Sequence, residues 1–327
     1  MEPARAAPVI DIEPDAARAG IHGRLVGPHV PLGSGLRHAA ERARAVGASA
    51  IQVFTDTPTA WQPRAEPHEG VAEFRRALVA SDIELFVHAS YLVNLATPDP
   101  VTFERSILRM GHELDAARAF GARALNVHIG SHKGSGVEAG IDRVGTALAR
   151  ILELRHADRV DPRLVLEDSA GQGGGVGVTI EELGAILDAA ERHGADRSRL
   201  GICLDTAHLW GAGYALDDPD AIDDLLAGAD AALGPGGLAM IHLNDSRVRR
   251  GSRVDRHEHI GGGVIGISGL RHLVQHPRLA RLPVILETPG MDTGWDAVNM
   301  ARVRSLLADA RLDPLPPEAF LARGLRT

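Results

Sequence analysis

The sequence predicts a single α/β barrel of eight strand–helix units, a (β/α)8 or TIM barrel whose active site lies at the C-terminal ends of the strands. Three observations lead there. Short apolar runs rich in β-branched residues alternate with stretches of helical periodicity along the chain. No Pro/Ser-rich linker, low-complexity tract, clear internal repeat or break in composition divides it. Its 327 residues, 44% of them hydrophobic, suffice for one barrel-sized core.

The elements follow in order. RLVGPHV (24–30) is the first strand, and LRHAAERARAVG (36–47) a helix closed by glycine. The second strand, ASAIQVF (48–54), precedes the helical pattern EFRRALVASD (73–82). IELFVHA (83–89) is the third strand, followed by ILRMGHELDAARAFG (107–121), again ending in glycine. ARALNVHI (122–129) leads to IDRVGTALARILELR (141–155), and RLVLED (163–168) to TIEELGAILDAAERHG (179–194). The sixth, seventh and eighth strands are LGICLDTAH (200–208), LAMIHLN (238–244) and PVILET (283–288). A doubly wound sheet is the alternative, but it carries a Gly-rich phosphate turn after its first strand, and VGPHVPLGSG is not one. Residues 1–23 read as a loose N-terminal extension, 24–312 as the barrel and 313–327 as a C-terminal tail.

Charge and cysteine content exclude several classes. With a formal net charge of −8, the whole molecule is not drawn to nucleic acid or anionic membrane, so any polyanion contact must be local. The single cysteine, Cys203, excludes an internal disulfide framework and a thiolate zinc cluster. No apolar run reaches membrane-spanning length. The N-terminus has acids where a signal peptide needs basic and then apolar residues. The expectation is a soluble cytoplasmic protein.

The strand ends carry the chemistry. The first strand stops at His29, the third at His88, the fourth at His128, the fifth at Glu167, the sixth at Asp205, the seventh at His242 and the eighth at Glu287; the second, at Phe54, lacks a metal-capable residue. With 16 His and 43 Asp plus Glu in 327 residues, composition alone does not produce that run. In a barrel these ends converge on one mouth. In CLDTAHLWGAGY, Asp205 and His208 can face one cation from a tight turn, and in VDRHEH the two-residue spacing of Asp255 and His257 points both one way if extended. The nine candidates are His88, His128, Glu167, Asp205, His208, His242, Asp255, His257 and Glu287. That is too many for one metal but suits two or three cations joined by bridging carboxylates, with imidazole favouring zinc. Arg247, Arg249, Arg250, Arg253 and Arg256 crowd the same stretch, HLNDSRVRRGSRVDRHEH, and suggest an anionic partner. Singly, each feature has a plainer reading: a hydrogen-bonded histidine, a loop acid, Asp205 as a helix N-cap, the arginines as a solvated loop, AGQGGGVG as a flexible linker. His22, His38, His112, His132 and His276 are left in that ordinary class. Joint occurrence at one mouth sets the others apart.

HASYLVNL, NVHIGSH, LEDSAGQG, CLDTAHLWGAGY, HLNDSR, GSRVDRHEHIG and ILET resemble, in order and over most of the chain, the motif series of the endonuclease IV family of apurinic/apyrimidinic endonucleases. The resemblance implies a TIM barrel with three zinc ions, manganese replacing part of them in some settings, that cleaves double-stranded DNA 5′ to an abasic site and also acts on 3′-blocked ends. By position, His88 and His128 would hold one zinc, and Glu167 would bridge it to a second. Asp205, His242 and Glu287 would complete the second; His208, Asp255 and His257 would bind the third. Two cations sharing Glu167 would lower the pKa of a water towards neutrality and the third would stabilise the leaving 3′ oxygen, giving a 3′-hydroxyl and a 5′-deoxyribose phosphate. Arg247, Arg249, Arg250 and Arg253 would hold flanking phosphates. Tyr91 with Leu92 would fill the gap left by a flipped-out abasic nucleotide. The family suggests a monomer.

One stretch departs from the family. In FTDTPTAWQPR, Asp56, Thr57, Pro58 and Thr59 stand where basic or amide side chains are common, and Asp56 is expected to repel phosphate; Trp61 stacks or packs. Two rivals remain. A xylose-isomerase-like sugar isomerase or epimerase would use Glu167 and Glu287 on a polyol with one or two divalent ions, but has no need of His208, Asp255 and His257. A non-catalytic barrel with a structural zinc normally closes its site with four ligands.

Overall fold

The computed structural model describes residues 23–64, 68–154, 162–291 and 293–321. His22 and nearly all of the expected N-terminal extension lie outside them. In chain order the elements are β1 (Val26–Pro28), α1 (Leu36–Ala45), β2 (Ala50–Val53), α2 (Val71–Val79), β3 (Glu84–His88), α3 (Pro100–Phe120), β4 (Ala124–His128), α4 (Val137–Glu153), β5 (Arg163–Glu167) and α5 (Ile180–Arg192). There follow β6 (Leu200–Asp205), α6 (Thr206–Ala212), α7 (Pro219–Leu233), β7 (Leu238–His242), β8 (Asp245–Ser246), β9 (His257–Glu258), α8 (Gly266–Gln275), β10 (Val284–Leu286) and α9 (Trp295–Leu307). Eight of the strands form one parallel sheet in the order β1-β10-β7-β6-β5-β4-β3-β2. A parallel bridge between His29 and Gln52 brings its two edges together, so the sheet is the expected barrel. Gly27 sits at that closure, where an added Cβ would lie 1.5 Å from the Ala50 carbonyl oxygen; only glycine lets the backbones come so near.

Helix ends follow local chemistry. Asp99 accepts the Thr102 amide at 2.8 Å and Pro100 opens α3, so this helix begins seven residues before the apolar periodicity suggested. Thr179 caps α5, and Glu182 reaches back to the amides of Gly177 and Val178, both at 2.9 Å. Gly121, at φ 74°, supplies the left-handed residue that ends α3.

Two apolar layers hold the barrel. The larger lies between strands and helices, as with Leu85, Leu125, Leu164 and Ile202 against Met110, Leu148 and Leu187. The smaller fills the barrel axis with Ala50, Phe86, Ala124, Val165, Cys203, Met240 and Ile285, one from each strand except β1. Side chains alternate across a strand, so the residue two positions on again points inward, one layer nearer the mouth. Those residues are Gln52, His88, Asn126, Glu167, Asp205, His242 and Glu287. Every one is polar, six are buried and Glu287 is nearly so. The fold thus stacks a polar ring on an apolar plug.

Part of the segment expected to be a C-terminal tail packs on the barrel, through Leu315, Ala319 and Phe320. Ala319 is buried with Trp295 and Val298, and its carbonyl accepts the His259 Nε2 hydrogen at 2.9 Å. A buried imidazole and a tryptophan face needed covering, which loop composition alone did not disclose. No described helix is long and apolar enough to cross a membrane.

Candidate metal centre

Glu167 lies at the centre of the mouth, fully buried. Its Oε2 is 3.2 Å from His88 Nε2 and 3.4 Å from His128 Nε2. Its Oε1 is 3.1 Å from His242 Nδ1 and 3.5 Å from His208 Nδ1. The two carboxylate oxygens therefore face different sets of imidazoles. His242 Nδ1 also lies 3.2 Å from Glu287 Oε2 and 3.9 Å from Asp205 Oδ2. Beyond Asp205, the Asp255 carboxylate sits between His208 Nε2 at 3.1 Å and His257 Nε2 at 3.0 Å. All nine candidate side chains come together. Donor atoms of eight of them fall into three groups compact enough for one cation each: His88, His128 and Glu167; Glu167, Asp205, His242 and Glu287; and Asp205, His208 and His257. Asp255 belongs to none of the three but stands between His208 and His257 of the last.

Local structure fixes which atom each residue presents. Asp205 is both an N-cap and a site residue: Oδ1 accepts the Ala207 and His208 amides at 2.6 and 3.1 Å, leaving Oδ2 to face the cluster. The same cap starts α6 and so aims His208. Asp255 and His257 arrive on the β8–β9 hairpin, whose base is tied by Asp245, which accepts the Ser246, Gly263 and Ile265 amides at 2.8, 3.0 and 3.0 Å. His88, His208 and His257 each turn Nδ1 to a backbone carbonyl, of Ala89, Asp168 and Glu287 at 2.8 to 2.9 Å, leaving Nε2 directed inward. His242 is held the other way round, its Nε2 donating to Gln52 Oε1 at 3.2 Å and its Nδ1 facing inward.

The electrostatics are those of cation sites holding protons. Burial disfavours a charged His257, but Asp255 and Asp205 outweigh it and raise its pKa to about 10. His88, His208 and His242 rise likewise, against burial, under the pull of facing carboxylates together with, for His242, the Cys203 thiol. Burial opposes ionisation of Glu167, Glu287 and Asp255 as well, yet the facing imidazoles hold all three well below the usual carboxylate range. The donor set fits divalent cations on a further observation. Asp255 Oδ1 and His257 Nε2 are buried and approach to 3.0 Å, yet neither has a hydrogen-bond partner among the described residues. Two donor atoms aimed at one point suit a shared cation better than each other.

Several supporting residues carried no metal signal in the sequence. Gln52 donates from Nε2 to Glu287 Oε1 at 2.7 Å and lies 3.1 Å from His29 Nδ1. Asn126 donates to Glu167 Oε2, and Asn244 donates to Asp205 Oδ2 at 2.7 Å. Their signal is positional for the first and second, two residues beyond the apolar axis residues Ala50 and Ala124. His29, a strand-end histidine, sits 3.5 Å from Glu287 Oε1 and 4.5 Å from the Phe54 ring centre, outside the three donor groups.

The remaining candidates frame the mouth. Tyr91 is 37% exposed and its ring stacks on that of His128 at 5.7 Å; Leu92 beside it is half-buried. Arg247, Arg249, Arg250 and Arg253 are exposed on the loop between β8 and β9. That loop is pinned to α6: Trp210 Nε1 donates to the Val248 carbonyl at 2.8 Å, and the Gly251 and Arg253 amides donate to the Trp210 and Gly211 carbonyls at 3.0 and 2.9 Å. Arg250 also meets Asp217 at 3.3 Å. Asp56 does not project towards a phosphate as expected. Its side chain is buried, 3.3 Å from Arg109 and 3.2 Å from His112, and so is already neutralised. Trp61 packs under Arg105, whose guanidinium lies 4.4 Å from the ring centre.

The family model of the xylose isomerase-like TIM barrel matches residues 40–309. The chain is 38% identical over 283 residues to a protein of Methanoculleus marisnigri named probable endonuclease 4, covering 86% of this chain and 98% of that one. It superposes on the crystal structure of endonuclease IV from Thermus thermophilus with a TM-score of 0.74 at 34% identity, covering 87% and 99% of the two chains. A D-tagatose 3-epimerase-like protein shares the fold, with a TM-score of 0.63 at 19% identity over 87% of this chain and 97% of that one. Motif order, the three donor groups around Glu167 and these likenesses agree: the chain belongs to the endonuclease IV family.

Proposed function

We propose that this protein is a DNA-repair endonuclease that hydrolyses the phosphodiester 5′ to an abasic site in duplex DNA, and removes 3′-blocking groups, with three zinc ions at the barrel mouth. The carrying observation is the placement of eight donor side chains in three contiguous groups sharing Glu167 and Asp205, with Asp255 3.0–3.1 Å from His257 and His208. His88, His128 and Glu167 would hold one cation; Glu167, Asp205, His242 and Glu287 a second; His208, Asp255 and His257 a third. Bound there, zinc supplies an activated water nucleophile and Lewis-acid stabilisation of charge on the phosphate and the leaving oxygen. A His208–Asp255–His257 group separate from Glu287 has no use in a sugar isomerase working with one ion, which favours the nuclease over that rival.

The chain's own residues prepare the site. Glu167 presents one oxygen to each of two donor groups, so a single buried carboxylate sets their spacing. Backbone carbonyls and Gln52 lock the outer imidazole nitrogens, which removes rotamer and tautomer freedom before substrate arrives. Tyr91 and Leu92 would occupy the gap left by a nucleotide that leaves the stack cheaply, having no base to unpair. Arg247, Arg249, Arg250 and Arg253 would hold flanking phosphates and position the duplex without reading its sequence. The reaction leaves a 3′-hydroxyl and a 5′-deoxyribose phosphate. Incubation with a duplex carrying one synthetic abasic site tests this: a nick on the 5′ side, abolished by strong chelation and restored by zinc, is expected. Zinc-loaded protein that leaves the duplex intact refutes it.

A further inference from the structure

A fourth donor group lies outside the barrel mouth, where α7 meets the end of α8. Asp223 is on α7; His272 is in the last turn of α8 and His276 immediately follows it. Both imidazoles aim Nε2 at one carboxylate oxygen, Asp223 Oδ1, at 2.7 Å from His272 and 3.3 Å from His276. The three donor atoms lie within 4.8 Å of one another. We propose that Asp223, His272 and His276 form a peripheral site for a divalent transition-metal ion, zinc or nickel, that clips α7 to α8.

Geometry and charge both favour it. Donors around a tetrahedral zinc, with bonds of about 2.0–2.1 Å, stand roughly 3.3 Å apart. The His276–Asp223 separation already has that value, and the His272–Asp223 pair must open by about half an ångström. The side chains are reachable, with 31%, 13% and 56% of the His272, His276 and Asp223 surfaces exposed. Two imidazoles four residues apart across a helix end meet a cation from one side. The carboxyl-terminal end of α8 carries the negative pole of the helix dipole, which favours positive charge. Two imidazoles and one carboxylate, with room for water, suit zinc or nickel better than calcium or magnesium.

The site is weaker than the mouth for a stated reason. His276 Nδ1 accepts the Arg278 amide at 3.2 Å, so Nε2 carries its proton in the metal-free chain. Coordination through Nε2 moves that proton to Nδ1 and dissolves this contact. The ion is therefore lost on gel filtration while the mouth stays loaded, and micromolar affinity is expected.

Calorimetric titration of zinc-replete full-length protein with nickel(II) tests the site. The expected result is one further equivalent with micromolar affinity, absent in H272A/H276A and at least tenfold weaker in D223N, which keeps both imidazoles. H272Q/H276Q, which keeps polar side chains of similar reach, serves if the alanine variant does not fold. Either double variant nicks abasic DNA as the parent does, because the mouth is untouched. No further nickel bound by the parent below 100 µM (roughly a hundredfold above the expected constant), or equal binding by the double variants, overturns the site. Loss of the extra equivalent in a protein that never nicks DNA would leave this site standing and remove the nuclease reading.

Discussion

Replacing Gln52 by leucine removes no donor atom from the mouth, yet it should weaken one cation site there. The amide joins three neighbours: it donates to Glu287 Oε1 at 2.7 Å, faces His29 Nδ1 at 3.1 Å and accepts from His242 Nε2 at 3.2 Å. Only one amide orientation satisfies the carboxylate and the N–H together, and that orientation leaves His242 Nδ1 pointing inward. Leucine has nearly the same volume but neither group, so His242 loses its tautomer lock and Glu287 one hydrogen bond. Losing such outer partners costs about ten- to a hundredfold in metal affinity or activity. That equals about 1.4–2.7 kcal/mol, which agrees with about 1.5–3 kcal/mol for a hydrogen bond to a charged group. The loss should fall on the ion shared by Glu167, Asp205, His242 and Glu287, with the other two retained. Zinc competition against a chelator, read with elemental analysis and nicking rate, measures it, and excess zinc should restore part of the activity. Gln52→Glu should be worse at neutral pH, because it sets a second carboxylate against Glu287. A folded Gln52→Leu protein that holds three zinc ions within twofold of the parent affinity refutes the reasoning.

Other outcomes follow from the same geometry. If Arg247, Arg249, Arg250 and Arg253 each neutralise one phosphate, duplex affinity should fall with a log–log salt slope of about −3.6, each alanine substitution lowering that slope by about 0.9; a flat response between 50 and 200 mM salt contradicts it. Tyr91→Ala should cut nicking by roughly ten- to a hundredfold, as loss of about 1–3 kcal/mol of stacking allows, with the zinc content unchanged, and a drop in zinc instead would recast Tyr91 as a support for His128. In the chelated protein, the raised imidazoles of His88, His208, His242 and His257 contribute stability that is complete below about pH 6.5 and fades as pH rises through their folded values, about 10 for His257. The lowered carboxyls of Glu167, Asp255 and Glu287 contribute stability present above about pH 4 and lost as pH falls through their folded values. The chelated chain should therefore melt lower at pH 9 than at pH 6, with zinc giving its larger rise at pH 9; equal melting at both refutes that balance. Asp56→Lys should cost about 3–5 kcal/mol of stability by breaking a buried pair, seen as an earlier melt; an unchanged melt with tighter DNA binding would restore the phosphate-repulsion reading.

The barrel and six of the nine candidate side chains were legible in the sequence for one reason, while His208, Asp255 and His257 came from their spacing in DTAH and VDRHEH. A parallel strand alternates side chains with period two, so a histidine or acid at a strand's end must lie on the axis or against the helices, and a charged group seldom takes the second place. His88, His128, Glu167, Asp205, His242 and Glu287 all obeyed. His29 shows the limit: the same signal placed it beside Glu287 rather than among the donor groups. Gln52, Asn126 and Asn244 were missed because amides neither bind zinc well nor mark a turn here; register against the apolar axis was the sole trace of the first two. Asp56 was misread because its partners, Arg109 and His112, stand more than fifty residues away on α3. The packing of Leu315, Ala319 and Phe320 was invisible for a similar reason, since the Trp295, Val298 and His259 they meet lie some twenty to sixty residues earlier.

An acidic cluster at the centre of a chain of net charge −8 must be balanced by positive charge. Four carboxylates, of Glu167, Asp205, Asp255 and Glu287, crowd one cavity, and like charges that close would push the strand ends apart. The raised histidines answer this. Each of His88, His208 and His242 has an oxygen acceptor within reach of both ring nitrogens, the arrangement of a protonated imidazole. Raised imidazoles facing lowered carboxyls favour protons on the chelated site, which offsets part of the carboxylate charge. Each inward nitrogen must give up its proton to bind metal, so loading is an exchange of protons for zinc. Adding zinc to the chelated protein in weakly buffered solution at neutral pH should therefore release several protons per chain. If uptake left the pH unchanged, those imidazoles would already be neutral, and the proton–carboxylate balance of the chelated protein would fail.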